Sequence, residues 1–187
     1  MMNISNFILF QLAWFITIFS ATYGMPYIGM LFTLLWMMGH LSYISPNREK
    51  EIKLLIFSAL VGYILESILV LSNIVSYPTQ AQFGFLAPVW MVTLWINLAA
   101  TINFSLSWLK NSYIITSLMA AIAGPLAYSA GAKIGAIIID DINALIVISI
   151  MWSIAMPLLF RFSNNLTNGK HIQSQLLTNR TEKTECH

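Results

Sequence analysis

Glu66 is the residue from which any chemistry in this chain has to be argued. It stands in VGYILESILVLSNIV (61–75), a run otherwise suited to lipid. A carboxyl group at such a depth is costly, so it marks an interhelical hydrogen-bond partner, a proton-handling group or a polar-headgroup contact. His40, near the end of another apolar run, fits a hydrogen-bonded structural histidine or a general acid or base. These two are the candidate catalytic groups. Asn97, Tyr128, Gln11 and Asn103 are further polar side chains inside apolar runs, and Trp14 and Trp90 add aromatic faces with an N–H donor. These six are candidate substrate-binding residues. No metal site is expected, because His40 is the only histidine within an apolar run and a multi-histidine centre needs more. No cofactor is expected either.

The elements that must position these residues follow from composition. Of 187 residues, 58% are hydrophobic and only 9% charged, with a mean hydropathy of +0.74. Soluble domains carry about a quarter charged residues, so this chain cannot cover a water-facing surface. A membrane protein is implied. A net charge of +2 with dispersed basic residues gives no nucleic-acid footprint. The lone cysteine, Cys186, fits a free thiol on a tail in a reducing compartment.

A bilayer core about 30 Å thick needs about 20 apolar residues as helix. Punctuation divides the chain into six such spans, at about 7–23, 27–45, 54–75, 85–109, 112–132 and 142–160. Gly24-Met25-Pro26 stops the first, Ser45-Pro46-Asn47 the second, and Pro88 suits a first turn of the fourth. The fold class is therefore all-α, one bundle of six transmembrane helices in a single domain, 1–160. SYPTQAQ (76–82) is expected to be a polar loop, KIGAIIIDD (133–141) a short connector, and 161–187 a disordered tail. With both termini cytoplasmic, eight of the nine Lys and Arg residues fall inside and only Lys133 outside. The first span lacks a basic leader region, which disfavours a cleaved signal peptide. The expected location is the bacterial cytoplasmic (inner) membrane.

Helical rise then sets depth. From the cytoplasmic ends of their spans, Glu66 and Asn97 lie roughly 20 Å up and Tyr128 roughly 24 Å. Gln11 and His40 lie roughly 7–8 Å up and Asn103 roughly 10 Å. Two polar layers are predicted, with Glu66 bonded to Asn97 or Tyr128 in the upper one. His40 is too far below Glu66 to pair with it directly. Small and polar residues share one stripe per span: Gln11, Trp14, Thr17 and Ala21; Gly29, Thr33, Trp36, His40 and Tyr43; Ala59, Gly62, Tyr63, Glu66, Val70 and Asn73; Thr93, Asn97, Ala100, Asn103, Phe104 and Ser107. Gly124-Pro125 predicts a kink or a close crossing in the fifth span. Tyr23, Tyr27, Tyr77, Tyr43, Trp108 and Tyr113 suit interfacial anchors.

No HxxxxD, HExxH, phosphate-binding glycine loop, GxSxG or CxxC occurs. Three function classes stay open: an enzyme or accessory of membrane-lipid modification, a small proton-coupled transporter, and a non-catalytic structural or partner-binding protein.

The residues NFILFQLAWF, His40, LES around Glu66, APVWMVTLWINLAATINFSLSWL (87–109) and AGPLAYSAGAKIGA (123–136) resemble a bacterial membrane family, domain of unknown function 2878. The likeness covers roughly 6–136. The family usually has aspartate at the position of Glu66 and often Asn-His where this chain has Asn103-Phe104. An acid kept at 66 favours a need for a carboxyl group there, and the histidine lost at 104 counts against an essential catalytic role for that position. The resemblance implies a polytopic inner-membrane protein of unassigned activity. Relatives tend to be encoded near lipid-modifying enzymes such as cyclopropane synthases, which favours lipid chemistry. The bilayer and, on the same ground, lipid-modifying enzymes are the expected partners.

Overall fold

The computed structural model describes residues 2–84 and 86–185, with side chains described for 3–84 and 86–167. Cys186 lies outside the described residues. Among the described residues the chain is all-helical: α1 (Met2–Thr22), α2 (Pro26–Gly39), α3 (Arg48–Leu71), α4 (Val89–Ile102), α5 (Tyr113–Ile134) and α6 (Ile142–Glu185). A π-helical turn, His40–Ile44, extends α2, and a 3-10 turn, Ser107–Asn111, follows α4. Five helices are long and apolar enough to cross a membrane. Leu31, Leu34, Leu60, Leu118, Ile122 and Ile154, all exposed, form the outer surface, as lipid rather than water requires.

α4 differs from the expected fourth span. It has 14 residues, about 21 Å at 1.5 Å per residue, too short for a bilayer core. Its C-terminal end unwinds because side chains replace the helical ladder. Asn6 donates to the Ala100 carbonyl at 3.1 Å, while Phe104 and Leu106 N–H groups both turn back to the Thr101 carbonyl. Ser105 then bonds Asn6 at 2.8 Å. An irregular backbone is tolerated at this depth only when other protein groups satisfy it. The short helix is buried on nearly every side, from Trp90 to Ile102, and is the axis of the bundle.

α5 and α6 form a pair that carries two internal prolines, Pro125 and Pro157. Each proline lacks the N–H that would reach the carbonyl four residues earlier. Those carbonyls belong to Ala121 and Ser153. Ser149 of α6 donates to Ala121 at 2.7 Å, and Ser117 of α5 donates to Ser153. Each helix thus satisfies the orphan of the other. Gly124 serves a close crossing: a Cβ there would meet Trp152 Cγ at 2.4 Å. Gly62 of α3 does the same for Trp95, at 2.3 Å. Trp95 and Trp152 stack at 4.9 Å, so two indoles lie between two glycine-bearing helices.

Other expectations need adjusting. The loop 76–82 is not a solvated strap: Val75, Tyr77 and Ala81 are buried, and Ser76 exchanges backbone bonds with Ile138 at 3.1 and 2.8 Å. On α3, Tyr63 is exposed, and the buried stripe runs instead through Glu51, Leu55, Ser58, Gly62 and Glu66. The helix also continues into the segment expected to be a disordered tail. There Phe162 stacks on Phe57 at 4.0 Å, and Ser163 and Asn164 hydrogen-bond into the bundle.

Ser149→Ala should leave the Ala121 carbonyl unpaired inside hydrocarbon and cost about 1–2 kcal/mol. The fall should appear in detergent unfolding curves, whereas Ser153→Ala, whose hydroxyl bonds only within its own helix, should change them little.

Candidate functional site

Glu66 lies on the inward stripe of α3 and is 0% exposed. Three neutral donors converge on its two oxygens. Trp95 Nε1 of α4 donates to Oε1 at 2.9 Å, Tyr77 O–H from the loop after α3 donates to Oε2 at 3.2 Å, and Tyr128 O–H of α5 donates to Oε1. A buried carboxyl group left bare would cost several kcal/mol; three hydrogen bonds offset much of that. Tyr128 therefore meets Glu66 as its depth implied. Asn97 does not. It projects from the opposite side of α4, where its amide donates to the Phe10 carbonyl of α1 at 3.0 Å, and its Oδ1 has no partner among the described residues. Asn97 is two positions on from Trp95, roughly 200° around a helix, so only one of them can face α3. Trp90, another candidate, is buried with its Nε1 on the Ala81 carbonyl at 2.7 Å and its ring against Tyr77 at 5.7 Å. It fastens the loop that carries Tyr77.

The lower layer also forms, around a residue that polarity at the membrane edge concealed. Glu51, 3% exposed, meets His40 Nε2 at 3.2 Å through Oε1 and accepts from Asn103 Nδ2 at 2.7 Å through Oε2. His40 is 0% exposed, its ring set edge-on to Phe104 at 4.9 Å, and its Nδ1 has no partner among the described residues. Asn103 Oδ1 accepts from Lys110 Nζ at 2.5 Å and from Ser163 at 2.7 Å. Burial pulls the Lys110 ammonium below the ordinary lysine range, and nearby Glu51 partly opposes that pull. The π-helical turn begins at His40, an irregularity of a kind that gathers at functional sites. Glu51 had a readable signal: three- and four-residue steps back from Glu66 through Gly62, Ser58 and Leu55 land on it.

Gln11 is not part of the lower layer. Together with Trp14 it lines an apolar cavity of ≈ 220 Å³ between α1, α4 and α5. Trp95, Tyr128 and Trp152 form the inner wall of that cavity, and Ala123 and Ala127 its α5 side. A second apolar cavity of ≈ 200 Å³ shares Phe10, Leu98, Ala123 and Trp152 with the first and runs on to Trp108 and Leu109. The two lie end to end in one cleft. α1 and α5 flank it but touch little, and their neighbouring Phe7, Phe15, Met119 and Ile122 are exposed. The cleft is thus edged by lipid-facing side chains. Glu66 lines neither cavity; it holds the two rings, Trp95 and Tyr128, that do.

Of the six interfacial anchors expected, Tyr23, Tyr27, Tyr43, Trp108 and Tyr113 are exposed, and Tyr77 is instead buried over Glu66. The chain matches the family described as "Protein of unknown function (DUF2878)" over residues 3–158 and belongs to it. No curated protein and no solved structure matches it.

Glu66→Gln keeps an oxygen for Trp95 and Tyr128, and the Tyr77 hydroxyl can accept from the new amide. It should fold with a loss of no more than about 1 kcal/mol. Glu66→Ala leaves three donors unpaired at about 1–3 kcal/mol each and should not yield stable protein. Size-exclusion profiles and thermal melts of the two variants in detergent check the contrast.

Proposed function

We propose that this DUF2878 member handles lipid in the bacterial cytoplasmic membrane, taking one acyl chain sideways into the cleft between α1 and α5. On this reading the chain serves membrane-lipid modification, as enzyme or as accessory to a modifying enzyme. The supporting observation is the cleft: apolar walls, a length covering two cavities with four lining residues in common, and flanks of lipid-facing side chains. Ligand sites of this kind are concave and mostly apolar with few polar groups. Gln11 supplies a polar group on its lining, at a place where a functional group partway along a chain would meet it. Glu66 is a positioning residue for that wall, since it touches the rings and not the cavity.

Both termini are assigned to the cytoplasm. Lys50 and Lys110 sit with Asn103, Ser163 and Thr167 at one end of the bundle, and the α1 N-terminal Asn6 reaches Ser105 at the same end. The positive-inside rule supports taking that end as the internal one. A transport reading lacks comparable support. The carboxyl groups of the two layers are separated along α3 by buried Leu55, Ser58 and Gly62, and Trp95 packs against that stretch.

Ala123 is exposed on the cleft side of α5, so bulk there fills the cleft without crowding the core. Ala123→Phe should change stability by no more than about 0.5 kcal/mol. In a deletion strain it should fail to restore the wild-type fatty-acid profile that the unaltered gene restores. A deletion strain with an unchanged lipid profile would remove the proposal.

A further inference from the structure

The cleft leaves the basic end of the bundle unexplained. There a separate polar cavity of ≈ 230 Å³ opens between the turn after α2, the start of α3 and α6. Glu51 and Asn103 stand in its wall, with Ser45, Asn47, Lys50 and Ser163 around them. Its lining holds more polar and charged side chains than that of the cleft, and it shares no residue with it.

The donor and acceptor inventory narrows what the cavity can take. As a carboxylate, Glu51 only accepts, with about four lone-pair sites on two oxygens. His40 Nε2 and Asn103 Nδ2 occupy one each. The sites that remain call for further donors. Asn103 has no free amide oxygen to offer, because Lys110 and Ser163 fill it. Ser45 Oγ is buried with no partner among the described residues. One helical residue from Glu51, Lys50 supplies a cation at the rim, where its ammonium makes a long 3.4 Å contact with the Thr167 carbonyl among the described residues. Adjacent to each other, then, are an anion set inside and a cation set outside.

We propose that this cavity binds a phosphoethanolamine group, its ammonium on Glu51 and its phosphate at Lys50. Ammonium provides the donors that the carboxylate lacks, and charge-assisted hydrogen bonds of this kind are among the stronger ones. The phosphate falls on the solvent side, where Lys50 serves it as a point charge. His40, behind Glu51, orients the carboxylate and does not touch the ligand. A trimethylated ammonium has no N–H to donate and is bulkier, so a phosphocholine group should be rejected. The site stands independently of the acyl cleft, since it uses none of its residues.

The test uses the full chain in nanodiscs, with phosphatidylethanolamine and phosphatidylcholine of identical acyl chains in equal amounts. Lipid retained through mild delipidation is counted by native mass spectrometry. Wild type should retain phosphatidylethanolamine over phosphatidylcholine by about tenfold, the worth of one hydrogen bond to a charged group. Glu51→Gln should erase that ratio. Lys50→Gln, at the rim, should lower retention of both lipids and leave the ratio as it was. Soluble phosphoethanolamine is added in a second arm. Displacement of the lipid only at large excess identifies a membrane lipid as the source, and binding as tight as the lipid's identifies a soluble ligand with the same headgroup. Equal retention of the two lipids by wild type overturns the proposal whether or not the variants fold, as does a ratio that Glu51→Gln leaves intact.

Discussion

A carboxyl group in hydrocarbon has to be given hydrogen bonds by protein, and the upper half of this bundle is arranged around that requirement. Glu66 draws one donor from each of three segments: Trp95 from α4, Tyr128 from α5 and Tyr77 from the loop that closes the end. None of the three is charged, so what holds the group is hydrogen bonding and not ion pairing. The same contacts fix two aromatic rings whose other faces form the wall of the cleft. Stability and site are thus tied to one side chain that does not itself reach the cleft.

The surrounding packing follows from having no water to fall back on. Tryptophan is too large for an ordinary helix crossing, and here Gly62 and Gly124 make room for Trp95 and Trp152. Proline breaks the ladder, and serines from the facing helix repair it at Ala121 and Ser153. α4 can be short because Asn6 and Thr101 take up its loose ends. Each device replaces a role that solvent fills in soluble proteins.

How much of this was legible depends on which physical quantity the sequence encodes. Apolar length and turn residues located the six helices, since both are local. Depth, which is also local, brought Tyr128 to Glu66. Choice of partner helix is not local, and no pattern along one helix encodes it. Polarity placed Asn97 on a buried face of α4, and it is buried, but a helix buried all round has several such faces. The face toward α3 is carried by Trp95, which hydropathy does not distinguish from the other apolar positions. Glu51 was hidden by its charged neighbours in REKEIK, although its spacing from Glu66 by threes and fours was present. Tyr77 was masked by the loop's polar composition, because a loop that folds inward leaves no periodicity to read.

The two polar layers therefore have different characters. The upper one is closed, saturated and structural, and it shapes an apolar space beside it. The lower one is open to a polar cavity and keeps acceptor capacity unused. The most direct measurement is to place the protein in a bilayer containing a phospholipid with a photoreactive group midway along one chain and to map the adducts by mass spectrometry. Adducts concentrated on Phe10–Trp14, Leu98 and Ala123 are the expected result. Adducts spread evenly over the outward faces, at Leu60, Leu118 and Ile154 as often as in the cleft, would contradict it.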